Sequence, residues 1–362
     1  MSAFIVAALR TAVVPRQGAF RNLGIADLGG PLLRSLLAQA GVAAGQVDEL
    51  ILSNALGAGG NPARLVALAA GLPERVAGLS IDRQCAGGLD AVLLGRALVG
   101  SGAAEVVVAG GVESYSRRPL RAFLGPGGPV FYDRPPFTPW PERDPDLAEA
   151  AADLALGLGI SRAAQEAWAV ASHGKASAAQ EALRGEILPL AGVQDDVFAR
   201  VLTPALAARA KVIAGTVTHA TTAVAADAAA FVVIVSERRA RDFPRAMRIA
   251  GGVTIGGAPQ APGLAPVAAI EIVLARAGLR PENLAMAEVM EAYAVQAMAC
   301  VSGAGLDPAR VNPAGGALAR GHPIGASGAV LAVRLFHGLR QGFGLAAIAA
   351  AGGIGTALVV ER

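Results

Sequence analysis

Cys85-Ala-Gly-Gly88 leads into a helical stretch, Ala91 to Leu98, then an apolar run, Glu105 to Ala109, then the pair Gly110-Gly111. Gly321-His-Pro-Ile-Gly-Ala-Ser-Gly328 leads in the same way into a helical stretch, Ala329 to Leu339, a run from Leu345 to Ala349, and the pair Gly352-Gly353. Reactive side chain, helix, strand and glycine pair thus occur twice in the same order, and such self-similarity decides the architecture of a chain this long. A duplicated core brings equivalent points of its halves together at a pseudo-twofold axis. The repeat therefore predicts that Cys85 and His322 meet.

Working outward, the runs Leu50 to Leu56 and Glu105 to Ala109 alternate with helical stretches such as Pro31 to Ala40 and Ala91 to Leu98. That alternation predicts an α/β protein with a parallel or mixed sheet covered by helices. The start, Met1 to Arg10, reads as a first strand rather than a leader. Between Arg117 and Pro145, prolines recur at 119, 126, 129, 135, 136, 139, 141 and 145. So many fixed φ angles and missing donors exclude regular interior structure, so this stretch is expected to be a loop excursion, followed by helices over Asp146 to Leu158 and Arg162 to Leu183. Gly342 to Val360 is long and uncharged enough to suggest a membrane span, but its five glycines favour a buried strand, turn and strand. The expected organisation is an N-terminal core half (1–116), a loop domain with its return (117–222), a last N-half strand and connection (223–246), and a C-terminal core half (247–362).

The 362 residues suffice for two domains or a fused pair. With 54% apolar but only 4% aromatic residues, the core must be built from Ala, Val, Leu and Ile. A net charge of +3, spread without like-charge blocks, argues against nucleic acid or a membrane as partner. Two cysteines cannot form a disulfide framework, which fits a reducing, cytoplasmic setting.

A lone cysteine is ordinarily a small buried hydrophobe. Cys85, however, falls between a strand, Leu79 to Asp82, and a helix opened by Gly87-Gly88, where the partial positive charge of a helix end favours thiolate. His322 lies in a glycine-rich loop and can take the thiol proton or donate to a thioester oxygen, the alternative being a histidine that caps the following helix. His173, His219 and His337 sit in no comparable constellation.

The stretch Asp82-Arg-Gln-Cys-Ala-Gly-Gly-Leu-Asp-Ala91 resembles the nucleophile segment of the thiolase superfamily, Asn-Arg-Val-Cys-Gly-Ser-Gly-Leu-Gln-Ala. Val107-Val-Ala-Gly-Gly-Val-Glu-Ser114, the segment from Asn312 to Gly328, Asn61-Pro-Ala-Arg64 and Gly159-Ile-Ser161 follow that family in order, over nearly the whole chain. The resemblance implies a duplicated five-layered α/β/α/β/α thiolase fold, a loop domain that binds coenzyme A, and assembly as a homodimer or homotetramer. It also implies acylation of Cys85 by an acyl-CoA or acyl-carrier thioester with His322 as activator, and no permanently bound cofactor or metal.

The resemblance breaks in three places. The family's Asn-Glu-Ala-Phe is Met290-Glu291-Ala292-Tyr293 here, and a thioether cannot hold the water that the asparagine holds. Its terminal Cys-x-Gly-Gly-Gly is Ala349-Ala350-Ala351-Gly352-Gly353, so Ala349 replaces the second cysteine that moves the α-proton. Ala351 can still offer a backbone N–H to an oxyanion if its conformation permits. The serine of the family's pantetheine loop corresponds to Ala223, which weakens the expectation of coenzyme A binding there. Cys300 is expected in the core, since nine residues of helix would set it opposite Glu291. Taken together, the residues predict an acyltransferase that forms a Cys85 acyl-enzyme, with thiolysis and non-decarboxylative condensation impaired. Decarboxylative condensation and thioester hydrolysis remain open within enzymes, acetyl-CoA acetyltransferase activity stays within the same class, and the rival is a non-catalytic thiolase-fold subunit or acyl-CoA-binding protein.

Overall fold

In the computed structural model, which describes residues 2–57 and 59–362, the two halves of the chain build the same sheet twice. The first half contributes β1 (Ala3–Thr11), β2 (Glu49–Ser53), β3 (Leu79–Ile81), β4 (Val106–Glu113) and β5 (Ala226–Ser236) in the spatial order β1-β5-β4-β2-β3. The second contributes β6 (Met247–Gly256), β7 (Leu284–Val289), β8 (Phe343–Ala350) and β9 (Ile354–Glu361) in the order β6-β9-β8-β7. A parallel bridge from Ala287 to Val311 stands where β3 stands in the first half. In both halves the first two pairings are antiparallel and the next two parallel. β1 and β6 join the halves edge to edge through Phe4↔Arg248 and Ile5↔Met247.

Period-two alternation in the strands makes the layers. Val106, Val108 and Val112 of β4 face the core of α1 (Ile25–Ala40) and α2 (Pro62–Ala69) on the outer side. Val107 and Ala109 face the opposite core, where α3 (Gly87–Ser101) and α8 (Ile324–Gly338) lie between the two sheets. In the second half, Ala346 and Ile348 of β8 join that central core, while Leu345 and Ala347 turn outward to α6 (Ala265–Ala277) and α7 (Ala294–Gly303). The result is the five-layered α/β/α/β/α sandwich that the repeat and the resemblance imply.

The excursion differs in part from its expectation. Arg117 to Pro145 is irregular except for an exposed hairpin, Arg121–Gly125 with Gly128–Tyr132, and one short 3-10 turn at Pro141–Arg143. Its prolines fall at the turn (Pro126) and beside it (Pro129), and nothing covers the strands, so a hairpin on the surface tolerates what an interior strand does not. Helix α4 (Leu147–Gly157) starts at Asp146, whose carboxylate accepts from the N–H of Ala148. The helix expected over Arg162 to Leu183 breaks at Ala179: α5 runs Arg162–Ala178, and a separate turn covers Gln180–Leu183. The run Leu50 to Leu56 ends as a strand at Ser53, where the backbone turns toward Glu113. Gly342 to Val360 is a strand, turn and strand as expected, and among the described residues no helix is long and apolar enough to cross a membrane.

The central helices touch near their N-termini. A Cβ on Gly328 would lie 2.4 Å from the backbone N of Leu89, and one on Gly88 would lie 2.7 Å from the backbone N of Ala329. Gly328→Ala is therefore expected to lower stability by about 1–3 kcal/mol in urea denaturation. Gly45→Ala, where the added carbon meets nothing within 4 Å, is expected to stay within about 0.5 kcal/mol of the parent.

Candidate active site

Cys85 is placed by a strained turn. β3 ends at Ile81, and Gln84 takes φ 49°, a left-handed conformation that costs a non-glycine residue energy. Asp82 holds the turn by accepting from the Gln84 backbone N–H at 2.8 Å and from its side-chain amide at 2.9 Å. The turn delivers Cys85 to the mouth of α3. On the other side, Gly321 at φ 115° lets the chain swing His322 in, and the His322 N–H donates to the carbonyl of Val224 at 2.7 Å.

The two side chains meet: His322 Nε2 lies 3.1 Å from Cys85 Sγ. Which nitrogen bears the proton follows from the next partner. The Ser327 hydroxyl donates its one proton to the carbonyl of Pro323 at 3.1 Å, so toward His322 Nδ1, 2.7 Å away, it can only accept. Nδ1 therefore carries the hydrogen, and Nε2 offers its lone pair to the thiol. Glu113 braces the loop from beneath, its carboxylate accepting from the N–H of Gly325 at 3.0 Å, of Ala55 at 3.0 Å and from Asn54 Nδ2 at 2.7 Å. Burial nevertheless holds the Glu113 carboxyl up, to about 7, against the pull of those donors. Neither Ser327 nor Glu113 carries a role in the sequence reading, although both lie inside the quoted motifs. The serine five residues after the histidine, in the first turn of the following helix, is the signal that could have found the first.

The expectation of a resting thiolate is corrected. Burial pushes the Cys85 thiol from its ordinary 9.0 up to about 12, although its own backbone N–H and that of Ala351 point at the sulfur and favour the charge. Asp82 and Glu113 add to the rise. A helix end is worth at most about 2 kcal/mol to a charge. The rise corresponds to roughly 4 kcal/mol, so desolvation wins. Burial likewise carries His322 down to about 4. The resting dyad is a neutral thiol beside a neutral imidazole.

A cavity of about 60 Å³ opens onto Cys85, walled by Leu147, Ala150, Ala151 and Leu154 of α4, Ala261 to Gly263, Ala292, Tyr293, Gln296 and Ala349 to Ala351. Ala349 and Ala351 thus line the cavity that opens onto Cys85. Ala351 is not among the residues of positive φ, so alanine fits and keeps its N–H directed at Cys85 Sγ. Met290 lies in the central core with its backbone N–H on the Ala347 carbonyl. Glu291 is drawn away from the cavity into a buried knot. Its carboxylate accepts from Trp168 Nε1 at 3.0 Å and Ser172 Oγ at 2.8 Å on α5, from Asn312 Nδ2 at 3.0 Å and from the Leu318 N–H at 3.2 Å. Ala223 packs against the central core, its N–H donating to the Ala292 carbonyl at 3.0 Å. Cys300 is fully buried in the outer core of the second half. Among the described residues, no group of three or more His, Cys, Asp or Glu side chains is arranged to hold a metal ion.

The architecture around this dyad is shared. The N-terminal thiolase domain model matches residues 3–238, and the C-terminal thiolase domain model matches residues 244–362. The chain belongs to the thiolase family. As a thiolase it is an acyltransferase. It is 37% identical to a Bacillus subtilis protein named "Putative acetyl-CoA C-acetyltransferase YhfS", over 100% of this chain and 99% of that one. It is 34% identical to "Putative acetyl-CoA C-acetyltransferase VraB" of Staphylococcus aureus strain MRSA252, over 99% of each. The crystal structure of the Bacillus anthracis acetyl-CoA acetyltransferase superposes with a TM-score of 0.93 at 31% identity, covering 99% of this thiolase and 98% of that chain. That of the Acat5 thiolase from Ascaris suum in complex with coenzyme A gives 0.92 at 27% identity over the whole of both.

Two outcomes test the electrostatics of this thiolase. Iodoacetamide is expected to label Cys85 and spare Cys300, as read by peptide mapping. Because the thiol sits near 12, the labelling rate at Cys85 should climb roughly tenfold per pH unit between pH 7 and 9. A plateau with a midpoint below pH 8 would establish a resting ion pair instead.

Proposed function

We propose that this thiolase forms an acyl-enzyme at Cys85 from an acyl-CoA or acyl-carrier thioester. The observation that carries the reading is the 3.1 Å contact between the thiol and an unprotonated His322 Nε2, with two backbone N–H groups converging on the same sulfur. Sγ attacks the thioester carbonyl carbon as its proton passes to Nε2. The N–H groups of Cys85 and Ala351 then receive the developing oxyanion, and collapse expels the leaving thiolate, which takes the proton back from His322. A neutral pair suits this sequence, since charge develops only as the carbonyl is attacked.

Carbon–carbon bond cleavage or formation needs one thing more, a proton carrier at the enolate carbon. Ala349 carries none, and apart from Cys85 the cavity wall offers only one titratable side chain, Tyr293, whose phenol burial pushes well above its usual range. Thiolysis and non-decarboxylative condensation are accordingly impaired in this reading, while decarboxylative condensation or thioester hydrolysis bypasses the missing base. Residues 117–222 form the part that receives coenzyme A, with Ala223 at its edge, and no cofactor stays bound between turnovers. The working unit is a homodimer or homotetramer in the cytoplasm.

The decisive experiment is intact-protein mass spectrometry after incubation with acetyl-CoA. An acetyl adduct on the parent protein that is absent from Cys85→Ala is expected; no adduct at all would favour a non-catalytic acyl-CoA-binding subunit. Acetoacetyl-CoA thiolysis should be slower than the acylation step by about a hundred to ten-thousandfold, the usual effect of a missing acid/base. Ala349→Cys combined with Met290→Asn should raise it more than either change alone, because both act on one transition state. Thiolysis by the unmodified protein at ordinary enzyme turnover would overturn this part of the reading.

A further inference from the structure

Gln296 sits in the first turn of α7 and forms part of the cavity wall beside Cys85. It is 3% exposed. Its Oε1 accepts from the Ala292 N–H at 3.3 Å, which fixes which end of the amide is which, since an amide nitrogen cannot accept from that donor. Nε2 is thereby left buried without a hydrogen-bond partner among the described residues. None of the other side chains on this wall carries an unpartnered buried polar atom.

A buried donor without an acceptor is costly and rare in a folded protein, and it calls for an explanation. Capping the Ala292 N–H explains Oε1 only, and a side chain kept for that bond alone has no need of two further N–H groups in an apolar recess. The wall around it is Leu147, Ala150, Ala151, Leu154 and Pro262, with no cation among the lining residues. A carboxylate buried there would lose its hydration without a counter-charge, whereas a neutral carbonyl or hydroxyl oxygen needs only one donor. Leu154 and Gln296 both press against Gly263, where an added Cβ would lie 2.9 Å from Leu154 Cδ2 and 3.5 Å from Gln296 Cγ, so the amide is held by packing.

We propose that Gln296 is a specificity-determining residue whose Nε2 donates to a hydroxyl oxygen on the chain of the acyl group, so that this thiolase prefers hydroxyacyl thioesters to plain ones of equal length. The proposal rests on Cys85 acylation as the underlying reaction. A site built to hydrogen-bond a substrate oxygen discriminates against the analogue that lacks it, because the donor is then left unpaired.

The test compares Cys85 acylation rates, by mass spectrometry, for butyryl-CoA, 3-hydroxybutyryl-CoA and 4-hydroxybutyryl-CoA. The unmodified protein is expected to react about five- to tenfold faster with at least one hydroxybutyryl thioester than with butyryl-CoA, as one recovered hydrogen bond allows. Gln296→Met, of similar length but with no donor, is expected to bring that ratio to about one. Equal rates for all three thioesters in the unmodified protein would overturn the assignment whether or not the variant folds, and leave the acyl-enzyme reading intact. A ratio unchanged in folded Gln296→Met would overturn it as well. Absence of any adduct from all three would overturn the acyl-enzyme reading and this inference together.

Discussion

Two helices from opposite halves of the chain meet near their N-termini, each setting a glycine against the backbone of the other. Gly88 lies against the backbone of Ala329 and Gly328 against that of Leu89, each within what a single methyl group would occupy. Everything distinctive about the site depends on that approach. Cys85 stands just before one helix and His322 just before the other, so the gap between the helices sets the gap between sulfur and imidazole. The two sheets then clamp the pair from both sides, which is why β4 and β8 present small or β-branched residues such as Val107, Ala109, Ala346 and Ile348 to the central layer. A bulkier central layer would part the helices and with them the dyad.

The same closeness decides the electrostatics. Two helix ends directed at one place favour negative charge there, and read alone they argue for a thiolate. Packing them this tightly also strips water from the sulfur and the ring, and desolvation outweighs the dipoles, so both groups rest neutral. What the helix ends supply instead is direction. The Ser327 hydroxyl, in the first turn of α8, sets the imidazole tautomer, and the N–H groups of Cys85 and Ala351 wait at the sulfur. Preorganised donors of this kind act when charge appears, without first holding a resting anion.

Much of this was legible in the sequence because it rests on repetition and on glycine. The twofold recurrence of reactive residue, helix, strand and glycine pair was enough to bring residues 85 and 322 together, and the apolar runs alternating with helical stretches were enough to point to a helix-covered sheet. The missed features depend on long-range partners that no local pattern reveals. Glu113 reads as the residue after a glycine-rich strand, and only the fold brings Gly325 and Asn54 to its carboxylate. The thiol's resting state was misread because a helix N-terminus is visible in a sequence and the depth of burial is not. Proline density correctly excluded interior structure from 117 to 145, yet it could not exclude a hairpin whose strands lie bare to solvent. Gln296 carries no signal in the sequence, since only the fold sets the Ala292 N–H at one end of its amide and leaves the other end, among the described residues, without a partner.

The departures from the family's motifs at residues 290, 349 and 351 fall unevenly on the two stages of the proposed chemistry, and the fold explains why. The acylation stage draws on backbone: N–H groups at residues 85 and 351, helix ends, and a tautomer fixed by one hydroxyl. Alanine at 351 preserves that function because any residue with an allowed negative φ presents the same N–H. The carbon–carbon stage draws on side-chain atoms at strand ends, at 290 and 349, where no backbone group can take the place of a lost thiol or amide. The wall around Cys85 is mostly aliphatic, and among the described residues Gln296 is its one unpartnered buried donor, so in the proposed chemistry selection among acyl groups falls to the side chains that line the cavity.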